Sequence, residues 1–199
     1  MGRNMDKNLE QRQKTKEKIE NGALLYFAKY GLAGAKISDL AKFLGIAQGL
    51  LYRYYPSKEA LFKEVCEKWI QQRDDGYLKL ATSPLTAKEK IMRITENIKI
   101  SLERDYRLAA IFTIFENESL AHGVAEGSAF AMWSKEPIEI LARIIVQGQQ
   151  EGDIHMGDAI QMSVTYWGLV FAMGHNQISS GTIVSYDISL LNRLLIKNV

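Results

Sequence analysis

The chain has 199 residues, of which 25 are Lys or Arg and 23 are Asp or Glu, so its formal net charge is +2. This length supports one large or two small domains with a buried core, and 47% apolar with 24% charged residues is the composition of a folded globular protein. A single cysteine, Cys66, excludes an internal disulfide framework and a four-cysteine zinc site. Because no apolar run reaches membrane-spanning length and residues 1–18 lack the apolar core of a signal peptide, we expect a cytoplasmic protein.

The charge is unevenly distributed along the chain. Residues 1–58 contain eleven Lys or Arg and five Asp or Glu, a net charge of +6, whereas the rest of the chain has a net charge of −4. This asymmetry predicts a polyanion-binding module joined to a body with a different task. Charge alone leaves open a basic segment that only aids solubility.

Apolar residues recur at helical spacing along nearly the whole chain, and we find no strand-like alternation of useful length. The first helix is predicted to end at Tyr30-Gly31. Two short helices follow, over residues 37–44 and 48–54, and Gly45-Ile46-Ala47 is the turn between them. Ser57 is the predicted N-cap of a fourth helix.

The second part of the chain continues this helical pattern after the break at Ser83-Pro84. Residues 116–127 are predicted to be irregular, with Pro137 in the first turn of the following helix. That helix is expected to stop within residues 148–152, and Asp158 is a candidate cap for the next one. The pattern predicts an all-α protein.

The two short helices joined by a glycine turn, inside a basic segment, fit a helix-turn-helix. In that motif the second helix enters the major groove of DNA and the first braces against the DNA backbone. The apolar residues predicted to fix the angle between them are Leu40, Ala41, Leu44, Ile46 and Leu51. Spacing alone leaves open an ordinary helical hairpin.

A longer string is more specific. Residues 19–62, which include ALLYFAKYGLAGAKISDLAKFLGIAQGLLYRYYPSKEALF, resemble without gaps the DNA-binding region of the TetR family of transcriptional repressors. The sequence around GQQEGDI, residues 148–154, bears a weaker resemblance to that family's last helices. The resemblance implies an N-terminal three-helix helix-turn-helix DNA-binding domain over residues 13–72, after a flexible basic tail over 1–12. A helical ligand-binding and dimerisation domain would follow over 73–199.

The resemblance also implies individual DNA contacts. Tyr52 would donate its hydroxyl to a phosphate, and Lys58 would bind phosphate at the start of the fourth helix. Gln48 can read adenine and Arg53 can read guanine. Tyr55 is expected to pack inside. The predicted DNA-binding residues are Lys36, Ser38, Gln48, Gly49, Leu50, Tyr52, Arg53, Tyr54 and Lys58.

Three positions depart from the family pattern. Lys36 and Ala47 stand where capping Thr and Ser are common, and an Ala at the N-cap costs about 1 kcal/mol of local stability. The charge of Lys36 can offset a lost phosphate contact, and Ser38 is a candidate replacement cap. Leu50 replaces a Thr that would bind phosphate and could instead contact a thymine methyl group.

In the resembled family the second domain holds a ligand pocket. Its many aromatic and Met residues suit a flat or apolar organic ligand, although such residues more often form core. The candidate pocket residues are Phe112, Phe115, Phe130, Trp133, Tyr166, Phe171 and His175.

The segment over residues 160–173 is apolar almost all round, which predicts burial on all sides, against residues 138–146 of the same and a partner chain. A two-fold dimer would match a palindromic operator. The candidate interface residues are Leu141, Ile145, Gln149, Trp167 and Val170.

The sequence offers little for catalysis. His122, His155 and His175 do not have metal-ligand spacing, and Cys66 is predicted to be an inert buried thiol. We expect a homodimeric repressor that binds double-stranded operator DNA and is released by a small hydrophobic or aromatic ligand, with no catalytic site, cofactor, metal or membrane partner. The alternatives are a regulator with a vestigial pocket and a small-molecule-binding protein that has lost operator affinity.

Overall fold

The computed structural model describes residues 2–104, 107–122, 129–182 and 185–198, with the backbone alone for 2–6, 116, 118–122 and 129–134. These residues form nine helices and no strand, so the all-α prediction is confirmed. The chain divides into two compact units, Met1–Lys68 and Trp69–Val199, with the boundary inside α4 and four residues before the predicted one. The helices are α1 Gly2–Gly34, α2 Ile37–Leu44, α3 Gln48–Tyr54, α4 Lys58–Ala81, α5 Ala87–Arg104, α6 Arg107–His122, α7 Ala129–Glu151, α8 Ala159–Ser180 and α9 Ser189–Leu195.

The first helix is longer than the sequence pattern predicted. Residues 2–12, expected to be a flexible tail, form the first turns of α1. No apolar stripe marks these turns, but Lys14 pairs with Glu10 at 2.6 Å, four residues away, and such pairs stabilise an exposed helix. The predicted break at Gly31 is confirmed, because this residue has a non-helical backbone with φ 66° and ψ 166°.

A tight turn joins α2 to α3. Gly45 adopts a left-handed conformation with φ 64°, and its N–H donates to the carbonyl of Lys42 at 3.0 Å. The next N–H, from Ile46, donates to the carbonyl of Ala41 at 3.0 Å. Leu40, Ala41, Leu44 and Leu51 are buried as predicted, so one apolar face of this hairpin packs inward and the other side of α3 is left exposed.

The second unit is built around α8, which packs against α6 and α7. Gly174 allows the close approach to α6, because a Cβ there would lie 2.8 Å from a ring carbon of Phe112 and 3.3 Å from Cα of Ala109. Buried hydroxyl groups of Thr95 and Tyr166 form a hydrogen bond of 2.8 Å between α5 and α8. Among the residues described, no helix combines the length and apolarity needed to cross a bilayer.

The predicted capping residues of α4 and α8 are confirmed. Asp158 accepts a hydrogen bond from the N–H of Gln161 at 2.9 Å at the start of α8. The hydroxyl of Ser57 accepts from the N–H of Ala60 at 3.1 Å at the start of α4. The predicted end of α7 within residues 148–152 is confirmed as well, since the helix ends at Glu151.

Two predictions for the second unit are wrong. Residues 116–122, expected to be irregular, continue α6, and residues 123–128 lie outside the described part of the chain. Pro137 lies inside α7 and not in its first turn, because the helix begins at Ala129. Because a proline cannot donate a helix hydrogen bond, it is favoured in the first turn, and this preference placed the predicted start of α7 too late.

Candidate nucleic-acid interface and ligand cavity

The outer face of the helix-turn-helix carries most of the predicted DNA-binding residues. Lys36 precedes α2, and Gln48, Gly49, Tyr52 and Arg53 lie on α3; all five are exposed. Because the buried Leu51 fixes the opposite side of α3, these groups share the side that a DNA groove could reach. Ser38, Leu50, Tyr54 and Lys58 are only half-buried or partly exposed.

The N-caps of α2 and α3 lack capping side chains, as expected from the residues that differ there from the family pattern. Lys36 and Ala47 occupy the N-cap positions of α2 and α3, and neither makes a side-chain capping bond. Ser38 does not replace the missing cap, since it is the second residue of α2, inside the helix.

Tyr54 contacts the N-terminal half of α1. Its hydroxyl donates to the backbone carbonyl of Arg12 at 3.4 Å. The guanidinium carbons of Arg12 and Arg53 lie 6.0 and 5.9 Å from the centroid of the Tyr54 ring, a cation–π arrangement. Arg12, which the sequence placed in a loose tail, is therefore held beside α3. No local pattern signals this, because the two residues are 42 positions apart.

Lys58 is placed differently from the phosphate contact predicted for it. Its ammonium group donates to the carbonyl oxygens of Leu32 and Ala35, both at 2.9 Å, and to that of Ala33 at 3.4 Å. A lysine in this position satisfies the last carbonyls of a helix and interacts favourably with its dipole. Lys58 thus holds the end of α1 to the start of α4.

A buried polar cluster ties the end of α3 to α1 and α4. The carboxylate of Glu20 accepts hydrogen bonds from Tyr55 at 2.7 Å and from Lys68 at 2.6 Å. Burial of this carboxylate raises its pKa, but these bonds and the charges of Lys68 and Lys16 outweigh that effect, so the pKa of Glu20 is below its ordinary value. Tyr55 is buried as predicted, and burial together with Glu20 raises its pKa.

Two neighbouring cavities among the helices of the second unit concern the predicted ligand pocket. The larger, of about 610 Å³, is lined by residues of α4, α5 and α6 and by the segment between α4 and α5. The smaller, of about 180 Å³, is lined by apolar side chains of α6, α7 and α8. Arg73, Tyr77 and Leu108 line both, so the two cavities adjoin.

The structure places the predicted pocket residues in different surroundings. Phe112 and Phe171 line the smaller cavity, with ring centroids 5.4 Å apart. Phe115 and Tyr166 are core residues that line neither cavity, and His175 lines neither as well. The side chains of Phe130 and Trp133 lie outside the described part of the chain.

Sequence reasoning missed the contribution of α4 to these cavities. Trp69, Arg73 and Tyr77 are spaced by four residues on that helix, and all three line the larger cavity. Burial raises the pKa of Tyr77 to about 12. The four-residue spacing was a readable signal, but the predicted domain boundary divided this helix.

Three of the five predicted dimer residues need correction, whereas Gln149 and Trp167 are partly exposed and stay predictions. Leu141, Ile145 and Val170 are fully buried within the protomer, so they cannot face a partner. Trp167 lines the smaller cavity, and its indole N–H donates to the carbonyl of Pro137 at 3.1 Å. Gln149 donates from its amide to the loop carbonyls of His155 and Gly157. Apolar periodicity marked these helices as buried without showing which face the protomer itself covers.

Three large aliphatic side chains of α8 are exposed. Ile160 is 45% exposed, Val164 43% and Leu169 41%. Gly168 and Ala172 lie on the same side of the helix and are exposed too. The expectation that this segment is buried on all sides is therefore not met within one protomer.

Residues 20–65 match the sequence profile described as bacterial regulatory proteins of the tetR family, and this stretch contains α2, α3 and the turn between them. The chain belongs to the TetR family of transcriptional regulators. This TetR family regulator is 27% identical over 152 residues to the fatty acid metabolism regulator protein of Bacillus subtilis, with 73% of each chain covered.

Solved structures share the fold of this TetR family regulator. A TetR family regulator from Agrobacterium tumefaciens superposes with a TM-score of 0.73 at 14% identity, covering 92% of this chain and 98% of the other. A structure from Saccharomonospora viridis in complex with choline gives 0.65 at 17%, covering 94% and 100%. The regulator FadR from Bacillus subtilis in complex with stearoyl-CoA gives 0.61 at 21%, covering 92% and 98%.

Within the described residues, no three His, Cys, Asp or Glu side chains are grouped so as to hold a metal ion. Cys66 lies buried on α4. The candidate functional groups of this TetR family regulator are the exposed side chains of α3 and the linings of the two adjoining cavities.

Proposed function

We propose that this TetR family regulator is a cytoplasmic, non-enzymatic repressor that binds a palindromic operator as a homodimer and is released by a small, largely apolar ligand. The observation that carries the proposal is the exposed side of α3, where Gln48, Tyr52 and Arg53 project from a helix fixed on its other side by Leu51. A single helix fits the major groove, and these side-chain types match base edges and phosphate.

We assign the contacts as follows. Gln48 and Arg53 read base edges, whereas Tyr52 and Lys36 bind phosphate. Gly49 allows the DNA backbone to approach α3, and Leu50 contacts a thymine methyl group. Ser38 and Tyr54 are half-buried beside this surface, and Tyr54 holds Arg53 and the newly recognised Arg12. Lys58 is left out of the contact set, since its ammonium group serves α1.

The exposed aliphatic residues of α8 support the homodimer. Ile160, Val164 and Leu169 are exposed, and a side chain at Gly168 would meet no atom of the protomer within 4 Å. Exposed large aliphatic side chains favour an interaction site, and a symmetric dimer buries the same surface of both subunits. A two-fold dimer would present two α3 helices to two operator half-sites.

The adjoining cavities support ligand control. Two solved proteins of this fold are described with a bound small molecule, stearoyl-CoA in one and choline in the other. In this chain the cavities lie between helices of the second unit, where a ligand could favour one helix arrangement over another. A ligand that binds the arrangement unable to span two half-sites shifts the population toward it and so lowers DNA affinity.

The DNA-binding proposal is tested by selecting bound fragments from the host genome with the full-length protein. We expect a palindromic consensus, and Gln48→Ala should change the preferred bases at one position in each half-site. Tyr52→Phe should weaken binding by a similar factor on every sequence and leave the consensus unchanged. Fragments without any shared sequence would overturn the proposal and favour a small-molecule-binding protein without operator affinity.

A further inference from the structure

The larger cavity of the second unit has a one-sided charge. Four cationic residues line it, Arg73, Lys79, Arg93 and Arg107, and none of the described residues in its wall is Asp or Glu. A concave surface bordered by charges of one sign concentrates ligands of the opposite sign. The wall therefore favours an anion.

The charge of Arg73 is balanced by a neighbouring carboxylate. The guanidinium of Arg73 contacts Asp74 Oδ1 at 2.7 Å through Nε and at 2.6 Å through Nη2, and the Arg73 side chain is only 13% exposed. Glu136 lies near this pair as well. Arg73 is thus neutralised by its neighbours, and we assign the positive charge that faces a ligand to Lys79 and Arg93.

Arg107 is held at the wall by an aromatic ring. Its guanidinium carbon lies 5.2 Å from the centroid of Trp69, and both residues line the larger cavity. Since a cation already occupies the neighbourhood of this ring, the ring is poorly placed to receive a cationic ligand. Arg93 and Lys79 are exposed at the same cavity. Glu89, one turn before Arg93, interacts electrostatically with Arg93, and its carboxylate accepts hydrogen bonds from the backbone N–H and the hydroxyl of Thr86.

The smaller cavity continues this site with a different chemistry. Phe112, Trp167 and Phe171 line it, and Arg73 is the one charged residue among its described lining residues. A ligand that reached both cavities would meet cations at one end and aromatic carbon at the other.

We infer that the second unit binds an anionic amphiphile, a carboxylate or phosphate head attached to a hydrocarbon chain. Lys79 and Arg93 bind the head in the larger cavity, and the chain extends past Tyr77 toward Trp167 and Phe171. This deepens the ligand part of the proposed function, because it names the charge and shape of the ligand. Apolar burial supplies affinity for the chain, and the cations supply selectivity for the head.

The test uses three probes that share one dodecyl chain and differ in charge: dodecanoate, dodecan-1-ol and dodecyltrimethylammonium. Binding to the full-length protein without DNA is measured by calorimetry and by the fluorescence of its tryptophans, at about pH 8, where a free carboxylate is ionised. We expect dodecanoate to bind about tenfold or more tightly than the alcohol, and the ammonium probe most weakly.

Charge-removing variants locate the head. Lys79→Gln and Arg93→Gln should each weaken dodecanoate binding about two- to fivefold, the range of partly exposed ion pairs, and leave the alcohol unaffected. Arg193→Gln is the matched control, because it removes one cation from α9, whose residues do not line either cavity. It should change no probe.

Equal binding of the three probes, tighter binding of the ammonium probe, no binding of any, or dodecanoate affinity unchanged in both cavity variants would overturn the inference. Each of these outcomes leaves the DNA-binding proposal untouched, since operator selection is measured without a probe. Failure of operator selection with dodecanoate preference intact would instead overturn the DNA-binding proposal alone.

Discussion

Among the described residues, Lys58 and Lys90 each bind carbonyl groups at a helix C-terminus. Lys58 donates to three carbonyls at the end of α1, and the buried Lys90 donates to the carbonyl of Ala81 at the end of α4 and to the side chain of Gln147, both at 2.8 Å. A long cationic side chain can satisfy carbonyl groups that have no partner within the helix. The same residue type that suggests phosphate binding in a sequence can therefore have a structural task.

Lys58→Ala distinguishes these tasks. We expect the free energy of unfolding of the first unit to fall by about 1.5–3 kcal/mol, because charge-assisted hydrogen bonds are lost. Urea denaturation measures this. The slope of log affinity against log salt concentration should not change. Lys36→Ala, the control on the exposed face, should leave stability unchanged and reduce that slope by about 1. The opposite pattern would restore the phosphate role of Lys58.

Glu20 gives the first unit a pH dependence. Because the pKa of Glu20 is below its ordinary value of 4.5 in the folded protein, its contribution is fully present above that value and is lost as the pH falls through the folded pKa. Glu20→Gln should lower the free energy of unfolding by about 1.5–3 kcal/mol near neutral pH.

Below about pH 4.5 the difference between the Glu20→Gln variant and the parent protein should shrink. Urea denaturation of both proteins across this range measures it. A difference that stays the same at all pH values would show that the Glu20 carboxylate does not titrate as described.

At the scale of elements, α3 offers a position where fold and DNA contact separate. A Cβ built at Gly49 meets no atom within 4 Å, so Gly49→Ala should fold normally and gain up to about 1 kcal/mol of helix stability. We expect its DNA affinity to fall at least several-fold, because the added methyl group meets the DNA backbone. Fluorescence anisotropy on a selected operator and thermal denaturation measure the two effects.

Gly45→Ala is the matched control for Gly49→Ala. Gly45 has a left-handed backbone with φ 64° in the turn between α2 and α3, so a side chain at this position should cost about 1–2 kcal/mol of stability. Unchanged DNA affinity in Gly49→Ala would show that the DNA backbone does not approach this position.

Local patterns predicted most of the elements. The bounds of α2 and α3 follow from apolar periodicity and from Gly45, and both match the structure. Ser57 and Asp158 were readable as caps because their partners lie three residues away. Helix bounds and caps depend on residues close together in the sequence, and they can therefore be predicted from it.

Contacts between distant segments could not be predicted. Arg12 reaches Tyr54 only because α1 begins well before Arg12, and Lys58 reaches α1 only once α4 is packed. For α7 and α8, the apolar pattern could not separate residues such as Val170, buried inside the protomer, from Leu169 on the exposed side. Tertiary packing decides which of two apolar faces remains accessible.

At the scale of the whole molecule, the exposed aliphatic residues of α8, Ile160, Val164 and Leu169, predict the oligomeric state. Leu169→Arg should convert the dimer to a folded monomer, because it places two like charges opposite each other at the two-fold interface. Sedimentation measures the mass and circular dichroism the helix content. Leu190→Arg is the control, since Leu190 is an exposed leucine on α9. A folded dimer in Leu169→Arg would place the interface elsewhere.

The central claim is that the dimer binds one class of DNA sequence through the exposed face of α3. The most direct measurement is a salt titration of the affinity for a selected fragment and for the same fragment scrambled. We predict tight binding of the selected fragment, with an affinity that falls steeply with salt and exceeds that of the scrambled one by about 10³ or more. Equal, weak binding of both fragments at every salt concentration would contradict it.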